Sequence, residues 1–324
     1  MTSKIAKMDF LVKKTYELTT QERVQLHDLF CEVFQKERPI EHMFNQYTEN
    51  ALGYSYHSLF ITDGCIKGAA TYVPSYFIYN GEKMIFATGI DVMIDEQYRN
   101  FYEFRKIIKN VFKILKSDGI PLIYGYPNDN SHPVYKTAGL MSDIDKMFIY
   151  CLPYRIGGIK HSLKAFNFLS TFFCQFHVWL SSCISSKKVA HFLIEKDKSY
   201  NLTRYKRLDG EYSQKLLSAS CTLYYKITSH EGVRTAFIID ITEKSAHNFT
   251  LACRYLIKEE GKNFDLILYP GFLPFKHHGM LRLPRQFEPK NFHFAAQILD
   301  NTKIGDDVWN IKNWDTNLSM YDLI

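Results

Sequence analysis

The chain has 324 residues, 46% of them hydrophobic and 23% charged, with a formal net charge of +6. This length exceeds the roughly 100–200 residues of one domain, so it predicts two domains, and the apolar content excludes an intrinsically disordered chain. The modest charge, without zinc-finger spacing or a basic-aromatic ladder, argues against nucleic acid as a partner.

Seven cysteines are spread along the chain without any Cys-x-x-Cys pair. The first ten residues also lack the apolar core of a secretory signal. Both observations favour a reducing compartment, and we expect a cytoplasmic protein.

The first 150 residues alternate between strand and helix periods, which predicts a mixed α/β unit. Strands are expected at 8–15, 58–62, 66–78, 83–94, 120–126 and 144–152. Helices are expected at 20–34, 40–50, 101–116 and shortly before residue 139. Thr19 or Thr20 can cap the first helix. Asn80-Gly81 is typical of a tight hairpin turn, because both residues tolerate positive φ.

Residues 165–186 carry no formal charge, and this length could span a bilayer. Polar residues such as Asn167, Ser170 and Thr171 interrupt the stretch. A spanning helix, an interfacial helix and a helix buried between two domains all remain open. We favour the buried helix over 161–186 and expect no stable membrane insertion.

A second unit is predicted from about residue 193. It comprises a strand at 200–207, a helix at 212–218, a hairpin at 222–242, a helix at 246–260 and a strand at 264–269. The helix–Gly–strand–Pro order of 116–127 recurs at 258–270, which predicts that the two units share a topology. Strands 84–94 and 120–126 are expected to diverge, as are their counterparts 233–242 and 264–269.

Between Asp91 and Leu140 the sequence reads as a strand, Asp-Val-Met-Ile-Asp-Glu-Gln-Tyr-Arg, a helix, a strand ending Tyr-Gly-Tyr-Pro-Asn, then Tyr135. This pattern resembles the acetyl-CoA-binding core of the GNAT acyltransferase superfamily, and the resemblance covers about residues 10–152. The tandem arrangement is similar to Fem-type aminoacyl transferases and N-myristoyltransferases.

The resemblance implies an α/β (α+β) fold with two tandem GNAT-like domains, each a mixed, mostly antiparallel sheet flanked by helices. It places a GNAT-like domain with an acyl-CoA site at 1–155, a connecting helical segment at 156–192 and a second, degenerate domain at 193–324. The implied co-substrate is acetyl-CoA or another acyl-CoA.

In such a site the pantetheine arm inserts between two diverging strands, so the resemblance implies contacts to the backbone of Val92 and Ile94. The pyrophosphate would bind amides at the start of the next helix. The candidates for cofactor binding are therefore Val92, Ile94, Arg99, Asn100, Phe101, Tyr102 and Asn128.

The phosphate loop departs from the family pattern Arg-Gly-x-Gly-x-Gly/Ala, since it reads Arg99-Asn100-Phe101-Tyr102-Glu103-Phe104. Tyr102 adds bulk, and Glu103 adds a negative charge where phosphate would lie. Weak CoA binding, a changed donor and an inactive site all remain open.

Two residues are catalytic candidates. Tyr135 matches the general-acid tyrosine of the family and could protonate a departing thiolate, with a packing role as the alternative. Asp91 could accept the amine proton, with a salt bridge or solvent exposure as the alternative. His132 is a further candidate base. His277-His278 lacks a third ligand at metal spacing, so no metal is expected.

The leading interpretation is an acetyl-CoA-dependent N-acyltransferase. It would act by direct transfer on an amino group of a small sugar- or peptide-like acceptor. The alternatives are a catalytically silent GNAT-fold binding protein and a Fem-like aminoacyl transferase. A homodimer remains open, and Asp322 with the terminal carboxylate is a weak candidate near the acceptor.

Overall fold

The structure is a computed structural model that describes residues 8–184, 191–206, 211–275, 277, 279–288 and 291–321. The chain divides into two compact units built from interleaved segments. Unit 1 takes the described residues of Met1–Asp145, Leu193–Leu208 and Phe292–Asn310. Unit 2 takes those of Lys146–Phe192, Asp209–Asn291 and Ile311–Ile324.

The elements are numbered in chain order. The strands are β1 (Met8–Lys14), β2 (Tyr56–Thr62), β3 (Cys65–Tyr79), β4 (Glu82–Ile94), β5 (Leu122–Gly125), β6 (Ser142–Lys146), β7 (Phe148–Leu152), β8 (Ile194–Lys196), β9 (Ser213–Ser218), β10 (Cys221–His230), β11 (Val233–Ile241), β12 (Leu266–Gly271), β13 (Leu281–Arg282) and β14 (His293–Ile298). The α-helices are α1 (Thr20–Phe34), α2 (Ile40–Thr48), α3 (Phe101–Ser117), α4 (His132–Thr137), α5 (Ile156–Ile159), α6 (Asn167–Ile184), α7 (Lys198–Lys206) and α8 (Ala246–Tyr255).

Unit 1 is built on a sheet in the order β1-β2-β3-β4-β5-β14-β6, with β8 paired to the end of β3. The pairs from β1 to β4 are antiparallel, β4 and β5 are parallel, and β5 and β14 are antiparallel. Because successive residues of a strand face opposite sides, Phe60 and Tyr72 pack with α3, whereas Leu59 and Val73 pack with α1 and α2. The sheet therefore has a helical layer on each face.

Unit 2 repeats this topology. Its sheet runs β13-β7-β12-β11-β10-β9, and only β11 and β12 are parallel among these neighbours. Read from β9, the order corresponds to β2-β3-β4-β5-β14-β6 of unit 1. The prediction that the two units share a topology is confirmed.

The boundaries of the two units differ from the predicted ones at 155 and 192. The single strand predicted at 144–152 is two strands, and the second of them, β7, pairs with β12 of unit 2. In return, β14 lies in the first sheet beside β5. Each sheet thus contains a strand whose neighbours in sequence belong to the other unit. Local periodicity shows that a segment is a strand, but not which strand it pairs with.

Two elements were predicted with the wrong type. The segment 200–207, predicted as a strand, lies largely in helix α7, where Tyr200 and Arg204 are buried four residues apart. The segment 212–218, predicted as a helix, forms the edge strand β9. Most of its side chains are exposed, so no buried face marked its period.

Two predictions that depend on short sequence motifs agree with the structure. Thr19 Oγ1 accepts a hydrogen bond from Glu22 N (3.2 Å), and the Glu22 carboxylate accepts one from Thr19 N (2.9 Å), which forms a capping box at α1. Asn80 and Gly81 have φ of 52° and 84° between β3 and β4. Both predictions are confirmed.

Of the helix predicted over 161–186, His161–Phe166 forms a 3-10 segment and Asn167–Ile184 forms α6, both within unit 2, while 185 and 186 lie outside the described residues. The described part is not buried as predicted, because most of its large side chains are exposed. Among the helices of the described chain, none is both long and apolar enough to cross a membrane.

Candidate functional site

A wedge opens in the sheet of unit 1 between β4 and β5. These parallel strands pair only at Ala87–Ile123 and Thr88–Tyr124, although β4 continues to Ile94. On its other side β5 is held by β14. Within the described residues, no strand pairs with this side of β4 beyond Thr88. Strand β5 ends at Gly125, one residue after its last paired position, so the divergence of the two strands stays a prediction.

The backbone of Val92 and Ile94 faces the wedge. Asp95 N donates to Lys67 O of β3 (2.9 Å), and Gly68 is paired with Ile94. In an antiparallel pair, the N–H and C=O of successive residues point to opposite sides. The peptide groups of Ile94 and Val92 therefore point away from β3, which is the orientation that an inserted extended ligand requires.

Asp91 lies beside this wedge at a β-bulge. It is the third residue after Thr88, the last residue of β4 that pairs with β5. The pairing of β4 with β3 shifts register at this point, and Asp91 has a φ of 46°. Aspartate tolerates this left-handed conformation better than most residues. The half-buried carboxylate accepts a hydrogen bond from Tyr47 Oη of α2 (2.8 Å). The bulge therefore directs Asp91 to the face covered by α1 and α2.

A buried polar network supports this carboxylate. The Tyr47 ring packs edge-on against His57, whose nitrogens lie 2.9 Å from Thr15 Oγ1 and 3.0 Å from Thr71 Oγ1. Burial raises the pKa of Tyr47 well above its usual value, and the negative charge of Asp91 adds to this. Burial also lowers the pKa of His57 to about 3, with a smaller contribution from the charge of Arg23. Tyr47 thus remains a donor and His57 remains neutral at working pH.

Tyr135 approaches the same stretch of β4 from the opposite face. It is buried in the α3 layer, edge-on to Phe104 at a centroid distance of 5.0 Å. Its hydroxyl neighbours that of Tyr72, whose ring packs over Gly89. Burial raises the pKa of Tyr135, so its hydroxyl stays protonated and is a weaker acid than a free phenol. Asp91 and Tyr135 therefore flank one stretch of β4 from opposite sides.

The N-terminus of α3 is capped by its own sequence. Asn100 Oδ1 accepts hydrogen bonds from the amides of Tyr102 (2.9 Å) and Glu103 (3.2 Å). These are amides that a bound pyrophosphate would use. The side chains of Phe101 and Tyr102 are exposed, whereas Glu103 Oε2 is buried without a hydrogen-bond partner among the described residues.

Arg99 is turned away from that helix. Its Nη2 and Nε donate to the carbonyl of Ile94 at 3.2 and 3.4 Å. This carbonyl is one of the backbone groups that face the wedge. A ligand whose phosphate binds Arg99 would have to displace the Arg99 side chain from this carbonyl.

Asn128 closes a local turn, because its Oδ1 accepts from the amides of Asn130 (3.1 Å) and Ser131 (2.9 Å). The neighbouring His132 contacts Asp143 at 2.5 Å and stacks on His293 at 3.8 Å. Sequence reasoning missed His293, since β14 is brought beside β5 from a distant part of the chain.

Unit 2 has a corresponding wedge, and the chain fills it. Strands β11 and β12 pair from Thr235 to Phe237 only, and Asp240 is again the third residue after the last pair. The Asp240 carboxylate is buried and accepts from Asn317 Nδ2 (2.5 Å) and Ile241 N (2.8 Å). Asn317 also bridges to Gly271 of β12. Segment 314–321 therefore lies against both diverging strands.

This segment, which we call the C-terminal plug (residues 314–321), is firmly held. Trp314 is fully buried, and Asp315 forms an ion pair with the buried Lys244, which follows β11. The Thr316 carbonyl accepts from Phe272 N (3.0 Å). Asp322 and the terminal carboxylate lie outside the described residues.

The remaining candidates lie elsewhere. His277 is buried in unit 2, 3.1 Å from Thr250 Oγ1, and His278 lies outside the described residues. No cluster of three metal-ligating side chains occurs in the described parts of the chain. A cavity of about 710 Å³ in unit 1 is lined by Lys14, Tyr56 and Asp118 near the first residues of β4, at the end remote from the wedge.

No known protein family and no curated protein matches the sequence. Solved structures do match the fold. A conserved protein of unknown function from Enterococcus faecalis is 16% identical with a TM-score of 0.58, covering 91% of this chain and 73% of that chain. A GCN5-related N-acetyltransferase from Anabaena variabilis is 11% identical with a TM-score of 0.57 and the same coverage. Eis1 from Mycobacterium abscessus is 9% identical with a TM-score of 0.54, covering 91% and 74%.

Proposed function

From the GNAT fold, which these matches establish over 91% of the chain, we propose that unit 1 is an N-acyltransferase unit with acyl-CoA as donor. The acceptor is an amino group of a small sugar- or peptide-like molecule. Acyl transfer is direct, without a covalent enzyme intermediate.

One observation carries this proposal. The wedge of unit 1 presents the backbone of Val92 and Ile94 and the carboxylate of Asp91, and the described chain places no strand in it. The equivalent wedge of unit 2 is occupied by the C-terminal plug. An extended pantetheine arm could pair with the backbone in the first wedge by β-augmentation, whereas the plug already makes such contacts in the second.

The proposed chemistry uses one proton acceptor and one proton donor. Asp91 takes a proton from the ammonium form of the acceptor, directly or through water, and the free amine attacks the thioester carbonyl. The C–N bond forms and the C–S bond breaks. Tyr135 donates its proton to the departing thiolate, and the tyrosinate takes the remaining extra proton from the new amide nitrogen. The products are neutral amide and CoA thiol, Tyr135 is neutral again, and the first proton passes from Asp91 to solvent. The Tyr47 hydroxyl keeps Asp91 oriented towards this site.

Donor binding requires a local rearrangement. The Asn100 side chain would leave the amides of Tyr102 and Glu103, and Arg99 would release the Ile94 carbonyl and reach the pyrophosphate. Each change replaces an internal hydrogen bond with one to an anion, and such bonds are stronger than neutral ones.

The same contacts favour a second candidate function. Because Asn100 already satisfies the helix amides, unit 1 could be a GNAT-fold binding protein without transferase activity. It would then bind an uncharged extended ligand in the wedge and make no contact with a nucleotide or pyrophosphate.

Calorimetry with two ligands separates these functions. S-acetylpantetheine contains the arm alone, whereas acetyl-CoA adds the nucleotide and pyrophosphate. An acyltransferase unit should bind acetyl-CoA more tightly, and turnover with amine acceptors should follow. Equal binding of both ligands without turnover would support the binding protein. Absence of binding at millimolar concentration of either ligand would reject the wedge as a donor site.

A further inference from the structure

Helix α6 is amphipathic, but its apolar face is exposed, whereas an ordinary surface helix buries its apolar face. Its inner face consists mostly of small and polar residues, and Cys174 and Val178 of this face join the hydrophobic core of unit 2. Ser170 and Thr171 donate to the Tyr154 carbonyl at 3.0 and 3.1 Å, and the Cys174 thiol donates to the Pro153 carbonyl at 3.3 Å. These contacts anchor the helix through its polar side.

The outer face is aromatic. Phe168 and Phe172 are each 69% exposed and Trp179 is 57% exposed. Other large apolar side chains of the helix are also exposed, namely Leu169, Phe173, Phe176 and Ile184, as is Phe166 just before it. The helix has 18 residues, so the apolar stripe is about 27 Å long. Contiguous apolar patches of this size on a protein surface mark an interaction site.

The sequence around the helix carries charge of one sign, although the Arg155 guanidinium is paired with the Asp265 carboxylate. From Lys146 to Ile194 the sequence has six Lys and Arg residues and no Asp or Glu. Lys160 and Lys164 precede α6 and are exposed. In sequence, Lys187 and Lys188 follow it. An apolar helical face with cationic residues before and after it complements a surface that is apolar inside and anionic outside.

A second copy of the chain fits this surface poorly. A symmetric dimer would place the apolar patch against itself, so the basic residues that flank the patch in one copy would lie close to those of the other copy and repel them. An anionic bilayer offers the opposite charge and an apolar interior for the aromatic side chains.

A cavity beside the helix suits an acyl chain. It measures about 490 Å³ and is lined mainly by apolar side chains of α6 and its neighbours, among them Leu152, Ile156, Phe173 and Leu281. The cavity borders the aromatic face, so an acyl chain leaving the bilayer could enter it.

We propose that α6 is a membrane-docking helix, which lies in the plane of a bilayer containing anionic lipid with its aromatic face in the headgroup region. Docking places unit 2 against the membrane through residues that the wedge of unit 1 does not use.

Flotation of the full chain with vesicles tests the proposal. The vesicles are phosphatidylcholine alone or with roughly 30% phosphatidylglycerol. The wild type should float with the anionic vesicles and much less with the neutral ones, and about 1 M NaCl should weaken this difference. Phe172→Ser/Trp179→Ser should lower binding by about tenfold or more, since it removes the apolar contact. Lys160→Gln/Lys164→Gln should lower binding to anionic vesicles only, by up to about thirtyfold.

The matched control is Leu202→Ser/Leu216→Ser, which removes two leucines of similar exposure (71% and 64%) outside the helix and should leave binding unchanged. Tryptophan emission should shift to the blue with anionic vesicles, and Trp179→Phe should abolish the shift. Circular dichroism melting shows whether each variant is folded.

Two results would overturn the proposal. The first is a wild type that stays unbound with both vesicle types. Alternatively, sedimentation without lipid could show a dimer that Phe172→Ser/Trp179→Ser dissociates, in which case a second copy covers the helix.

Discussion

The two wedges of this protein hold an aspartate at the same position, yet the chain treats them differently. Asp91 and Asp240 each follow the last parallel pair by three residues. Asp240 is buried and bound to Asn317 of the C-terminal plug, whereas Asp91 is half-buried beside Tyr47 in a wedge that the described chain leaves open. The comparison sets a carboxylate that is bound to the C-terminal plug beside one that we propose as a proton acceptor.

The difference also shows how a repeated fold can lose a binding site without losing its topology. The plug contacts both strands of the second wedge, through Asp240 of β11 and Gly271 of β12. In unit 1, no strand of the described chain pairs with β4 at Val92 and Ile94, and the Ile94 carbonyl accepts from the Arg99 side chain instead. Four predictions break or sharpen this comparison.

The largest expected effect concerns the two aspartates. Asp91→Asn keeps the shape and tolerates the left-handed φ, but it removes the proton acceptor. We expect kcat/KM for acyl transfer to fall by about a hundred- to ten-thousandfold, measured as CoA thiol release with a panel of amines. Asp240→Asn should leave kcat/KM nearly unchanged and instead lower the unfolding free energy. Equal losses of activity in both variants would contradict the assignment.

The plug gives the next effect. Asp315→Asn leaves the buried ammonium of Lys244 without its charged partner. We expect a loss of about 3 kcal/mol or more in the unfolding free energy, measured by urea denaturation. Lys258→Gln, which breaks an exposed pair with Glu259, is the matched control and should cost less than about 1 kcal/mol. A similar small loss in both would show that the plug is weakly held.

His57, behind Asp91, makes unit 1 sensitive to acid. Its pKa is about 3 when folded and 6.5 as a free group. Below pH 6.5, His57 is therefore protonated in the unfolded chain but stays neutral in the folded chain. The free energy of unfolding consequently falls as the pH decreases. Between about pH 7.5 and pH 5 this residue should account for a loss of about 2 kcal/mol.

His57→Gln should remove that share of the pH dependence, which paired denaturation curves at the two pH values would measure. His161→Gln changes an exposed histidine and serves as its control. Identical pH slopes in the wild type and His57→Gln would argue against a neutral buried imidazole.

The smallest effect concerns the phosphate loop. Glu103→Gln removes a negative charge beside the amides proposed to bind pyrophosphate. CoA affinity should rise about five- to tenfold by calorimetry, equivalent to about 1 kcal/mol. Glu96→Gln, at an exposed position before the loop, should change the affinity little. Unchanged affinity in Glu103→Gln would mean that the anion does not bind at this helix.

Much of unit 1 could be predicted from the sequence because its signals are local. The helical period of α3, the capping box at Thr19 and the turn at Asn80-Gly81 each depend on a few neighbouring residues. The residues that partner the candidates could not be found this way. Tyr47 meets Asp91, and His293 meets His132, only through tertiary pairing.

Helix α6 shows a second limit. Asn167, Ser170 and Thr171 read as interruptions of an apolar stretch, whereas they form the face that packs on unit 2. The period of the polar residues was present in the sequence. Which face is buried follows from tertiary contacts, such as those of Ser170 and Thr171 with the Tyr154 carbonyl, and local periodicity does not reveal them.

The exchange of β7 and β14 bears on how the chain is made. Strand β5 emerges from the ribosome with one edge uncovered, and its partner β14 follows roughly 170 residues later. At usual rates of synthesis this delay is about 8 to 34 s. During that time the edge of β5 is exposed to other strands, so nascent chains of unit 1 are open to aggregation and to chaperones. The same arrangement means that a fragment ending near residue 155 would lack a strand of its own sheet.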